Sequence, residues 1–243
     1  MTRILIIGAT SSIAEHTARL WGNKDTEFVL VARSKSKLEA VSADLAVRTG
    51  AKIEQILIDF TNPKEISAVM TRVFKKPVDS ALIAHGVLTR QEDVKNITVI
   101  RDSVLINAAS HAMFAEEIAG HFEKQGHGKL GIIGSIAGER GRAELYIYGA
   151  SKAFLEKLVD GLNSRFVGTA IRASIIKPGP VATPMISGDR AAAKFTAKPE
   201  TVAKLIVLGM AQGKAKIYTP RIWRLIAVII RLMPAAIYNR VRV

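Results

Sequence analysis

Thr2-Arg3-Ile4-Leu5-Ile6-Ile7-Gly8-Ala9-Thr10-Ser11-Ser12-Ile13-Ala14 is the stretch whose reading decides the fold. Four apolar residues run together before a glycine, as in a short strand buried on both faces. The small residues Gly8 to Ala14 form a turn, and the spacing then predicts an amphipathic helix from Ile13 to about Trp21. A strand, a tight turn and a helix start aim free backbone N–H groups and a positive helix end at the space above the turn. A dinucleotide pyrophosphate suits that space, and Thr10, Ser11, Ser12 and Ile13 are the residues around it. With only Gly8 as glycine, and Ser12 and Ala14 at the other close-packing positions, an ordinary tight turn in an α/β core fits the pattern as well.

Outward from this unit the same rhythm repeats. Glu27–Ala32 reads as a second strand and Ser36 to about Arg48 as a helix, on the spacing of Leu38, Val41 and Leu45. Lys52–Ile58 is a third strand, with a helix after Pro63, and Asp79–Ala84 is a fourth. A long helix is predicted from Ile100 to about Lys124, with Val104, Leu105, Ala108, Ala112 and Ala119 on its inner surface. Lys129–Gly134, Ala170–Ile176 and Ala215–Tyr218 complete the strands, and Thr201–Met210 gives a further helix. Alternation of apolar strands with helices predicts an α/β fold of Rossmann type: one doubly wound parallel sheet with helices on both faces. At 243 residues this is one domain, residues 1–219, followed by a C-terminal extension, 220–243.

Composition narrows the chemistry. With no cysteine there is no disulfide, thiolate ligand or thiol nucleophile, which is compatible with a reducing compartment. His16, His85, His111, His121 and His127 show no metal-ligand spacing, so no metal is expected. The opening reads as a core strand rather than a secretory leader, and a cytoplasmic location is expected. The formal charge is +14, from 35 basic and 21 acidic residues, and from residue 201 onward there are eight basic residues and no acidic one. The body lacks a finger, a KH glycine loop or a basic-aromatic surface motif, so a nucleic-acid partner is not expected.

The strand ends carry the candidate site. After the second strand, where an acidic residue would hold the adenosine ribose of NAD, no acidic residue stands between Phe28 and Lys37. Arg33 instead offers a planar cation for a 2′-phosphate, favouring NADP (NADPH) over NAD. Asp59, beside Phe60, either accepts a bond from adenine or caps the helix after Pro63. His85-Gly86 ends the fourth strand, with glycine allowing a ligand close to the backbone and His85 reading as a loop hydrogen-bonder. Asn107, amid the inner surface of the long helix, is either glue to a neighbouring loop or part of a site. Ser135 stands at the C-terminal end of the fifth strand, the edge where open parallel sheets place ligands. Tyr148 and Lys152, four apart, share one helical face, and beside Ser135 they form a proton-transfer group in which the lysine lowers the phenol's pKa. Pro178-Gly179-Pro180-Val181-Ala182-Thr183 is a rigid turn whose threonine caps a helix or holds a cofactor amide. Residues 186–198, small, polar and weakly periodic, read as a movable loop.

These residues together resemble the short-chain dehydrogenase/reductase family over about residues 3–219. The glycine turn departs from the family pattern by a serine at the middle position, and the Asn-Asn-Ala-Gly stretch is replaced by Ile83-Ala84-His85-Gly86. Asn107, Ser135, Tyr148 and Lys152 match the catalytic set, and Pro178-Gly179 and Thr183 match the second cofactor turn. The resemblance implies that Tyr148 exchanges a proton with the carbonyl oxygen and that Ser135 holds that oxygen. It implies that Lys152 bonds the nicotinamide ribose and depresses the tyrosine pKa, and that Asn107 supports a water linking the lysine to solvent. Tyr146, out of register with Lys152, is a substrate-side or packing residue.

The extension reads as an amphipathic helix. Arg221, Arg224 and Arg231 fall within about 80° of one another on a helical wheel, and nearly all the rest of the circumference is apolar. The longest uninterrupted apolar run, Leu225–Ile230, is too short to span a bilayer, which takes about twenty residues. Such a helix suits the cytoplasmic face of an anionic membrane, with an oligomer interface or core packing as the other readings. Together with the short glycine turn, the tail is similar to that of bacterial reductases of the decaprenylphosphoryl-2-keto-pentose type. That likeness implies NADPH-dependent reduction of a ketone on a hydrophobic or lipid-linked substrate such as a polyprenyl-phosphate keto-sugar. The alternatives are a soluble reductase of small carbonyl or ketoacyl compounds with the tail at an oligomer interface, and a non-enzymatic scaffold that kept the fold. A homo-oligomer is also expected.

Overall fold

The computed structural model describes residues 1–90, 92–185 and 196–240. Seven parallel strands form the sheet: β1 (Thr2–Ile7), β2 (Thr26–Ala32), β3 (Lys52–Leu57), β4 (Ser80–Ile83), β5 (His127–Ile133), β6 (Ala170–Pro178) and β7 (Lys216–Thr219). Their spatial order is β3-β2-β1-β4-β5-β6-β7, so the winding direction reverses between β1 and β4. Ligands of open α/β sheets bind in the crevice above that reversal. Gly8, at the end of β1, and His85-Gly86, after β4, flank it.

Alternation along β1 builds both halves of the core. Ile4 and Ile6 face one side, among residues of α1 (Ser12–Trp21), α2 (Lys35–Thr49) and α7 (Pro199–Ala211). Leu5 and Ile7 face the other, with α3 (Pro63–Val73), α5 (Ser110–Gln125) and α6 (Tyr146–Arg165). Every side chain from Ile4 to Ile7 is buried, which explains the unbroken apolar run.

Three local expectations are corrected. The helix after Pro63 is capped by Asn62, whose carbonyl oxygen accepts from the N–H groups of Lys64 and Glu65. Asp59 is spent on Thr61, accepting from its N–H and its hydroxyl at 2.8 Å each, so it caps nothing in α3. The long helix begins earlier than expected, at α4 (Ile97–Val104) capped by Asn96, and passes through a π turn, Leu105–Ala109, into α5. The wider turn shifts the helical register by a fraction of a turn. Val104 is consequently exposed, while Ser103, Ile106, Asn107 and Ser110 face inward. Residues 186–195 of the expected movable loop lie outside the described residues. The flanking segments are joined by a bridge between Val181 and Ala197.

Candidate functional site

The first turn is shaped by one glycine. Gly8 has φ +80°, and a Cβ there would stand 2.4 Å from the backbone nitrogen of His85. The β1 turn and the β4 loop can touch only because that atom is missing. Ser11 donates its N–H to the Gly8 carbonyl at 2.9 Å, while its side chain makes no capping bond to α1. Thr10, Ser11, Ser12 and Ile13 are all half-buried around the start of α1. Beside them Arg33, exposed at the end of β2, lies over the Phe60 ring at 5.6 Å. Hydrogen bonds from Thr61, assisted by the Arg33 charge, hold the Asp59 carboxyl below its usual range. Phe60 itself is a core residue, packed on His85 and Phe114.

His85 is buried in a small polar relay. Its Nε2 bonds the Ser110 hydroxyl at 2.9 Å, and that hydroxyl donates to the Phe60 carbonyl at 2.6 Å. Its ring lies 4.0 Å from that of His111, and burial pushes both imidazoles well below their ordinary pKa. Both rings are therefore neutral at physiological pH and serve packing and hydrogen bonding.

Asn107 occupies the π turn. Its Oδ1 accepts the Val87 N–H at 3.0 Å and its Nδ2 donates to the Val87 carbonyl at 2.9 Å. The amide thus pins the β4 loop to the helix, the glue role, while standing next to the lysine. A Cβ on Gly86 would lie 2.9 Å from Asn107 Oδ1 and 3.6 Å from Lys152 Nζ.

β5, the turn after it and α6 bring Ser135, Tyr148 and Lys152 together. β5 carries Ser135 to the sheet edge, where its oxygen accepts the Ala137 N–H at 3.1 Å and starts a short 3-10 turn, Ile136–Gly138. Gly138 lets this turn lie directly on α6, since a Cβ there would meet Ala153 N at 2.8 Å. Tyr148 and Lys152 project from the first turns of α6. Burial raises the Tyr148 pKa, and a hydrogen bond with Ser135 pulls it partly back. Lys152 is buried and donates to the Ile133 carbonyl at 3.0 Å. Its Nζ stands 5.7 Å from the centre of the Tyr148 ring.

The expected lowering of the phenol by Lys152 is not what this geometry produces. The ammonium lies over the ring, and burial drives the lysine down to about 7, which weakens its hold on the phenolate.

The buried lysine also has a stability consequence. Its folded pKa lies below the unfolded value, so at pH 7 to 10 the unfolded chain binds more protons and stability rises with pH. Below pH 7 both states are protonated and the burial penalty is present in full. Urea midpoints of the wild type, relative to Lys152→Met, are expected to climb between pH 7 and 10 and to run parallel below pH 6.

A buried charge network joins segments far apart in sequence. Lys177, immediately before the Pro178-Gly179 turn, is 1 % exposed and pairs with Glu139 Oε1 at 2.5 Å and with Glu156. Glu139 also accepts from the Tyr218 hydroxyl at 2.9 Å and pairs with Arg231 at 3.3 Å. Lys216 completes the network on Glu156 at 2.6 Å. These charges tie the serine loop, α6, the end of β6, β7 and the C-terminal helix together. A lysine in the apolar run Ile175-Ile176-Lys177 was the only local signal, and its partners are far off in sequence.

The extension is a helix, α8 (Ile222–Leu232), and a last turn, α9 (Ala235–Tyr238). It is not set apart from the site. Trp223 packs on Gly179 so closely that a Cβ there would fall 2.0 Å from its indole nitrogen. Arg140, on the serine loop, donates to the carbonyls of Ile230 at 3.1 Å and Met233 at 2.5 Å and lies 4.1 Å over the Tyr238 ring. No carboxylate follows the arginine stripe in sequence, yet Glu139, some ninety residues earlier, faces Arg231. No described helix is long and apolar enough to cross a membrane, and no group of metal-binding side chains occurs among the described residues.

Comparison with known proteins agrees with this geometry. The short chain dehydrogenase family profile matches residues 2–194. An uncharacterized oxidoreductase in the mprA 5′ region of Streptomyces coelicolor is 31% identical over 242 residues, covering 98% of this chain and 94% of that relative. The ketoacyl reductase HetN of Nostoc is 27% identical over 214 residues, covering 84% of this chain and 73% of that relative. Among solved structures, a short-chain dehydrogenase from Sphingobium yanoikuyae in complex with NADPH superposes with a TM-score of 0.84. It is 24% identical and covers 94% of this chain and 92% of that one. With a serine, a tyrosine and a lysine converging at the edge of a parallel sheet, the chain belongs to the short-chain dehydrogenase family and is an NAD(P)-dependent oxidoreductase.

Proposed function

We propose that this protein is an NADPH-dependent ketone reductase acting on small carbonyl or ketoacyl compounds. The carrying observation is the convergence of Ser135, Tyr148 and Lys152 at the C-terminal edge of the sheet. The likeness to HetN, a ketoacyl reductase, supports the ketoacyl class.

The residues present fit a dinucleotide. Gly8 and the start of α1 offer backbone N–H groups to a pyrophosphate, and Arg33 stands exposed where the adenosine end would lie. Pro178, Gly179, Val181 and Thr183 would flank the nicotinamide, which supplies the hydride when bound. Ser135 holds the substrate carbonyl oxygen, and Tyr148 gives it a proton as negative charge develops there. Lys152, fixed on Ile133, orients the ribose and supplies positive charge when protonated. Asn107 keeps the β4 loop in place beside it.

Arg33 sets the cofactor preference in this reading. Charge-assisted hydrogen bonds contribute roughly 1.5–3 kcal/mol. Arg33→Ala is therefore expected to raise the KM for NADPH by about ten- to a hundredfold and to leave that for NADH nearly unchanged. Equal effects on both cofactors would remove the 2′-phosphate from the proposal.

A second reading, a keto-sugar carried on a polyprenyl phosphate, is supported by the exposed apolar face of α8 and the cations beside it. NADPH oxidation with ketoacyl thioesters, small ketones and a polyprenyl-phosphate keto-sugar separates the two. Turnover confined to the lipid-linked sugar would overturn the ketoacyl reading.

A further inference from the structure

α8 has two unlike sides. Its inner side, Trp223 and Ala227, packs on the domain, and its carbonyl end is held by Arg140. Its outer side is apolar and open: Leu225 is 59% exposed, Ile229 52% and Leu232 78%, with Ile222 and Val228 beside them. At the N-terminal end of this helix, between α7 and β7, lies a groove of about 270 Å³, with Leu205, Leu208 and Ile217 as its apolar lining and Lys214, Lys216, Arg221 and Arg224 around it. Lys216 is neutralised by Glu156 and Asp160. Lys214, Arg221 and Arg224 have no acidic partner among the described residues.

We propose that α8 and this groove form a docking surface for an anionic phospholipid bilayer. The apolar face enters the acyl boundary, and Lys214, Arg221 and Arg224 meet the headgroup phosphates. An amphipathic helix held in the interface plane by buried apolar area and by cations is the expected binding geometry. Charge decides against a second copy of the chain as the occupant. Each copy carries a net charge of +14, with no acidic residue from position 201 onward to meet these cations, so a second copy offers this face no charge complement. Anionic lipid instead complements them. Because the inner side of α8 grips Gly179 and Arg140, docking holds the Pro178-Gly179 turn and the Ser135 loop about one helix diameter from the bilayer.

Flotation of the full chain with vesicles of phosphatidylglycerol and phosphatidylcholine, against phosphatidylcholine alone, tests this without any assay of turnover. Binding is expected to anionic vesicles and to weaken with salt. A cation near an anionic surface contributes about fivefold in affinity. Arg221→Gln/Arg224→Gln should then reduce binding roughly thirtyfold, and Leu225→Glu/Ile229→Glu should abolish it, each with an unchanged circular-dichroism spectrum and melting temperature. Absence of flotation at low salt, equal flotation with neutral vesicles, or flotation indifferent to both double variants would overturn the proposal. A drop from dimer to monomer mass in Leu225→Glu/Ile229→Glu, with lipid binding retained, would overturn it too and give the face to a second copy. These outcomes are independent of which carbonyl is reduced.

Discussion

Tyr148→Phe is expected to lower kcat by about 10²- to 10⁴-fold, the usual contribution of a positioned proton donor. The ring stays packed in α6 and only the hydroxyl is lost, together with its bond to Ser135. The fold and the first cofactor turn, formed by Gly8 and α1, are untouched by the change. NADPH affinity, followed by fluorescence titration, is therefore expected to shift by less than about threefold, a fraction of one neutral hydrogen bond. A variant that turns over within tenfold of the wild type would remove Tyr148 from the proton path. Ser135→Ala should lower kcat as well, because it removes both the oxyanion-side donor and the phenol's partner.

Lys177→Met is expected to cost about 3–5 kcal/mol of stability. Lys177 is the central cation between Glu139, 2 % exposed, and Glu156, 13 % exposed. Burial pushes the Glu156 carboxyl up, and the bonds from Lys177 and Lys216 outweigh it, holding it below its usual range. Removing Lys177 leaves both carboxylates with weaker compensation, Arg231 for Glu139 and Lys216 for Glu156. For a chain of this length each kcal/mol moves the melting temperature by about 2–4 °C, so a fall of roughly 10 °C is expected in calorimetry. Lys177→Met/Glu139→Gln should recover part of it, since a neutral amide needs no cation. A single variant that melts within about 2 °C of the wild type would show that the network contributes little. Loss of the network should also loosen the Ser135 loop, through Glu139, and the hold on α8, through Arg231.

The alternation of strands and helices was legible because it depends on local periodicity. The buried run Ile4–Ile7 and the amphipathic α1 and α3 lie where their spacing puts them. The order of Ser135, Tyr148 and Lys152 was legible too, since one strand end and the first turns of one helix carry all three. The helix register around Asn107 was not. A π turn needs no special residue, and it is fixed here by the contacts of Asn107 with Val87 and of His111 with Ile106.

By itself, then, the sequence determined the sheet-and-helix architecture, the placing of Ser135, Tyr148 and Lys152 at one strand end and one helix start, and the amphipathic character of the tail, all properties of neighbours along the chain. Only the tertiary structure decided what the charges do. Glu139, Glu156, Lys177, Lys216 and Arg231 come from five separate segments, and whether each is solvated or buried depends on which elements meet. The phenol's raised pKa and the lysine's lowered one were decided the same way, because burial and ammonium position are set by packing rather than by spacing.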